Sequence, residues 1–257
     1  MHTELAVSLA GLYGFLLVLA RVSGVIAIAP IPGLSAGPDA ARIVLALALT
    51  MALFPVWPAP PMGEFAVGRL LGWIAAEAAF GLTVGVALAF LLEGVQLAAQ
   101  IIGLQAGYSF ASTVDPNTQA DTTTLQLMSQ LFAGSLFFAF GFDREVVHIL
   151  ARSLESVPGG VYTLSGPLVE AVARLGAAIF STGLQLALPV MALLVLLDIA
   201  FAVLGRLHAQ LQLLSLSFAV KMLVGVAFLS TLLALFPGVF ERSGAATFAV
   251  LARVLNP

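Results

Sequence analysis

The sequence predicts an all-α protein assembled in or at a membrane, and three observations carry that expectation. Of its 257 residues, 61% are hydrophobic and only 9% charged, against roughly 45–50% and about 25% in an ordinary soluble domain. Uncharged stretches cover 43–63, 94–114, 122–142, 175–197 and 222–240, and two further apolar runs, 5–38 and 70–92, hold one charge each, Arg21 and Glu77. None of these runs alternates apolar and polar residues as the strands of a membrane barrel do.

A spanning helix needs about 20 mainly apolar residues, because lipid leaves every backbone polar group to be satisfied within the helix. On that basis helices are predicted near 5–29, 41–57, 66–93, 94–112, 124–141, 168–205 and 211–236, six or seven long hydrophobic helices in all. The first ends where Pro30, Pro32, Gly33, Gly37 and Pro38 break the pattern, and the second at Pro55, Pro58, Pro60, Pro61 and Gly63. Glu93-Gly94 is read as a break between the third and fourth. Asp115-Pro116-Asn117 opens a polar stretch that runs to Thr124. The segment 143–155 sets Asp143, Arg144, Glu145, Arg152 and Glu155 against Val146, Val147, Ile149, Leu150 and Leu154, the composition of a surface or interfacial helix. The first apolar run has no preceding Lys or Arg and carries Arg21 inside it, so cleavage as a signal peptide is not expected.

Several chemistries are disfavoured. The net charge is −3 and the ten basic residues are scattered singly, so no basic stripe exists for nucleic acid. Cysteine is absent, which removes disulfides, thiol catalysis and cysteine-ligated metals. His2, His148 and His208 never form a helical metal pair. Ser109, Ser112 and Asp115 have no nearby histidine or lysine base, so an intramembrane hydrolase is disfavoured. No enzyme activity, cofactor or metal is expected.

The helices carry other signals. Gly81 and Gly85, and Gly103 and Gly107, are each four apart, and Ala99, Gly103, Gly107 and Ala111 make a smooth ridge along one face. Such spacing lets helix backbones approach closely, within one chain or between subunits. Asp198 and Lys221, the only lysine, lie at equal distances from a turn near 209–210. In an antiparallel hairpin they come level, as an ion pair that sets its register or as part of a proton or ion relay. Glu77 and Glu93 are sixteen residues apart, some 160° around a helix at about 100° per residue, so they face opposite ways; Glu77 suits a protein-lined interface. Gly107-Tyr108 through Pro116 runs from the glycine ridge into a polar, β-branched stretch, a poor helix continuation that suits either a plain helix end or a movable element.

Ala20-Arg-Val-Ser-Gly24, Ala29-Pro-Ile-Pro-Gly33, Arg42 to Leu49, Glu77 with Gly81 and Gly85, Gln100 to Gly107, Phe110-Ala-Ser-Thr-Val-Asp-Pro116 and Ala187-Leu-Pro-Val190 together resemble the FliR family of flagellar biosynthesis proteins, in order and spacing, from about residue 12 to 240. The resemblance implies a bacterial inner-membrane component of the flagellar basal body, a subunit of the type III protein export gate. That gate is shared with FliP and FliQ, with FlhB and FlhA nearby, and passes exported flagellar proteins. It implies a FliP-like part over 1–160, including a plug loop at 107–124, and a FliQ-like hairpin and tail over 161–257. It implies that several helices pack on partner subunits as well as on membrane lipid. It gives Gly107, Tyr108, Phe110, Val114, Asp115 and Pro116 to the plug, with Tyr108, Phe110 and Val114 as pore-blocking side chains and Gly107 as a point of swing. Ala209 and Ala219 depart from prolines usual in the family, which leaves the hairpin straighter. The alternatives are a small secondary transporter, with Asp198 and Lys221 at its site, and an injectisome homologue.

Overall fold

The computed structural model describes residues 2–31, 38–58, 67–108, 124–157, 159, 160, 162, 163, 165–207 and 213–255. Every regular element among them is helical: α1 (His2–Ile28), α2 (Asp39–Ala52) followed by a 3-10 turn (Phe54–Val56), α3 (Val67–Ala106), α4 (Thr124–Ala139), α5 (Phe142–Ser156), α6 (Gly166–Leu207) and α7 (Leu213–Leu255). Within the described residues, Gly11–Ile28, Gly68–Ala106 and Gly166–Leu207 are long and apolar enough to cross a membrane. Helices α3, α6 and α7 have 40, 42 and 43 residues. At about 1.5 Å per residue each is about 60 Å or more along its axis, twice the roughly 30 Å hydrocarbon core.

Predicted boundaries are corrected at three places, besides the end of α3 at Ala106 in place of 112. Helix α3 runs unbroken through Glu93-Gly94. Glu93 faces outward, and Gly94 serves close packing: a Cβ there would lie 3.2 Å from Thr182 of α6. Helix α2 stops at Ala52 rather than near 57, and the 3-10 turn that follows has Pro55 in its first residues, where the missing N–H costs nothing. Helix α7 passes through Pro237 and continues to Leu255, well past the predicted end at 236. The continuation carries the buried Phe240 and Leu251, apolar contacts that offset the hydrogen bond lost at proline. The interfacial segment expected at 143–155 is α5.

The chain divides into two compact units. One comprises Met1–Phe90, Phe137–Gly176 and Gly244–Pro257; the other comprises Leu91–Leu136 and Ala177–Ser243. This partition reflects compactness and interleaves the chain, whereas a division at residue 160 reflects resemblance.

The core of the first unit is built from Val18, Val22 and Val25 of α1, Phe80, Val84, Ala87 and Leu88 of α3, and Ile149, Leu150 and Leu154 of α5, each set at three- or four-residue spacing. Helices α1 and α3 touch backbone to backbone. A Cβ at Gly81 would lie 2.1 Å from the Arg21 carbonyl oxygen, one at Gly24 2.7 Å from the Ala78 oxygen, and one at Gly85 2.9 Å from the Val25 oxygen. Only glycine permits that crossing.

In the second unit α6 buries Gly183, Leu186, Ala187, Val190 and Leu194. Gly183 admits Leu97 of α3, whose side chain lies 2.9 Å from where a Cβ would stand. On α3, Ala99, Gly103 and Ala106 are buried. Phe132 of α4 meets Phe236 of α7 edge to face at 5.5 Å. Elsewhere α6 is open and apolar in this unit: Phe180, Leu188, Leu196, Ile199, Val203 and Leu207 are all exposed.

Candidate functional site

Two charged clusters stand out against the apolar background, one in each unit. In the second unit, Lys221 of α7 pairs with Asp198 of α6. The two residues flank the 208–212 connection, so the pair bridges the two arms that the connection joins. Gln105, in the last turn of α3, donates its side-chain N–H to the other Asp198 oxygen at 3.3 Å. Lys221 is 13% exposed and Asp198 39%, so this cluster is half open.

The same helix end holds Gly107 and Tyr108. The Gly107 N–H donates to the Leu104 carbonyl at 3.2 Å and the Tyr108 N–H to the Gly103 carbonyl at 2.9 Å, with Gly107 at φ +87°. That pair of bonds around a left-handed residue is a Schellman stop, which explains glycine at 107. The Tyr108 hydroxyl donates to the Met222 carbonyl of α7 at 2.8 Å, and burial raises its pKa, so it remains a donor. Its ring lies 3.6 Å from where a Cβ on Gly225 would stand. Tyr108 is therefore seated on α7. Phe110, Val114, Asp115 and Pro116 lie outside the described residues. Gly81 and Gly85 belong to the α1–α3 crossing, and Ala99 and Gly103 to the packed face of α3 in the second unit; these four are not gathered at one site.

The first unit holds a cluster that the sequence reading did not assemble. Arg21 of α1 pairs through Nε with Glu77 of α3, and each side chain is 1% exposed. The guanidinium also donates to the Ser153 hydroxyl at 2.8 Å and the Val157 carbonyl at 3.3 Å, and its carbon lies 4.6 Å from the centre of the Phe80 ring. The second Glu77 oxygen accepts the Gly160 N–H at 2.9 Å. Gly160 has φ +80°, and a Cβ there would lie 1.9 Å from Trp73, so that donor position requires glycine. Four segments converge on one buried pair. The available signal was a lone charge in each of two apolar runs, but 56 residues of separation gave no register to connect them.

Neither cluster offers a nucleophile beside a base. Each carboxylate is engaged by a cation and an N–H donor, which suits holding helices together. Among the described residues no group of three or more His, Asp or Glu is placed to hold a metal.

Long apolar helices with few charges define a helical membrane protein. Residues 12–246 match the model of the bacterial export proteins, family 1. The chain is 30% identical over 239 residues to the flagellar biosynthetic protein FliR of Escherichia coli K12, covering 93% of this chain and 91% of that one. It is 27% identical to FliR of Bacillus subtilis 168, covering 88% and 90%, and 26% identical to FliR of Caulobacter vibrioides, covering 83% and 86%. The chain belongs to the bacterial export proteins, family 1, to which these flagellar FliR proteins are its relatives.

Proposed function

We propose that the chain is a non-enzymatic subunit of the flagellar type III export gate in the bacterial inner membrane, at the flagellar basal body. With FliP and FliQ, and with FlhB and FlhA nearby, it forms a pore for unfolded flagellar proteins, closed by the segment 107–124. The observation that carries this reading is the open face of α6. Between the exposed Glu170–Arg174 pair and the exposed Arg206, exposed apolar side chains continue from Phe180 to Leu204, about 36 Å along the helix. A bilayer covers about 30 Å of that, or about 32 Å at the average tilt of about 20°, which leaves a surplus. Apolar surface beyond the reach of lipid is the mark of a protein interface, and neighbouring subunits meet that need. In this reading Asp198–Lys221 sets hairpin register, and Phe110 and Val114 block the conduit by bulk and dewetting.

The test is membrane conductance. Phe110→Ala, or deletion within 108–114, leaks ions while the complex still assembles. Unchanged conductance in an assembled variant contradicts the plug.

A further inference from the structure

Gln105 and Tyr108 are three residues apart at the end of α3 and reach two different helices, Asp198 of α6 and Met222 of α7. Lys221 stands next to Met222 in sequence and pairs with Asp198. The bonds therefore close a ring: α3 to α6 through Gln105–Asp198, α6 to α7 through Asp198–Lys221, and α7 back to α3 through Met222–Tyr108. We propose that this ring is a polar clasp that fixes the Schellman stop of α3 on the α6–α7 hairpin, and that Tyr108 is a positioning residue rather than a pore-blocking one. Its hydroxyl is committed to a carbonyl and its ring to the surface that Gly225 leaves clear. Gly225 is itself confined, because a Cβ there would lie 3.3 Å from that of Ala106. Phe218 closes the other side, 3.1 Å from where a Cβ on Gly107 would stand. The bonds are part-buried, and linked hydrogen bonds in such a network reinforce one another. The clasp fixes the point at which the chain leaves α3; only its consequence for conductance rests on the gate reading, and pore blocking then falls to Phe110 and Val114.

The test is amide hydrogen exchange of the segment 103–108 in the full chain, held in lipid nanodiscs with whatever subunits co-purify. Tyr108→Phe keeps the ring and removes the hydroxyl; Gly225→Val keeps the hydroxyl and displaces the ring. Both variants exchange about threefold to tenfold faster at Gly107 and Tyr108, the range one net hydrogen bond supports. Unchanged exchange in both overturns the clasp, whatever the conductance. Faster exchange with unchanged conductance keeps the clasp and removes its link to the gate. Faster exchange with a leak supports both.

Discussion

Two ion pairs of this chain, Arg21–Glu77 and Lys221–Asp198, do different work because they are built to different degrees of closure. Arg21–Glu77 is sealed: each side chain is 1% exposed, and Ser153, Val157, Gly160 and Phe80 complete its surroundings. Lys221–Asp198 is half open, with Asp198 39% exposed, and its single further bond goes to Gln105. A sealed pair fixes a core once and leaves nothing to adjust. An open one holds a junction while leaving it accessible to a partner or to a shift. The lesson is that a charge inside an apolar helix marks a structural knot when its bonding is complete, and a point of coupling when it is not.

The contrast is sharpest in the cost of breaking each pair. Glu77→Gln leaves Arg21 without a counter-charge in the interior, and removing one partner of a buried pair costs about 3–5 kcal/mol. The expected outcome is loss of accumulated protein and a large drop in the midpoint of denaturation. Replacing both partners together, Arg21→Met with Glu77→Leu, restores most of that stability. If Glu77→Gln accumulates normally with an unchanged midpoint, the sealed pair is not the knot of the first unit. A smaller effect is expected at the open pair. Asp198→Asn and Lys221→Met in a double-mutant cycle give a coupling of about 0.5–1 kcal/mol, in the upper range for partly exposed pairs. Zero coupling removes the register role of that pair.

The same comparison separates what was legible in the sequence from what was not. The all-α architecture was legible because uncharged runs of spanning length admit little else. Asp198 and Lys221 were legible as possible partners because they stand symmetrically about one polar turn. Gln105 was not, since 93 residues separate it from Asp198, and no local pattern reports such an approach. Arg21 and Glu77 escaped for the same reason. Gly94 was misread because glycine after a charge resembles a helix stop, whereas here it admits Thr182 against the helix. Gly107, given as a point of swing, sits in a Schellman stop: the residue type was informative, and its role depended on the neighbours Gly103 and Leu104.

The central claim is that the open face of α6 is covered by other subunits. Photo-crosslinking from Leu188, Ile199 and Val203, three exposed positions along that face, tests it directly in native membranes. Cross-links to FliP or FliQ from these positions are the predicted result. Cross-links to lipid alone from all three, in a chain that purifies as a stable solitary bundle, would contradict it.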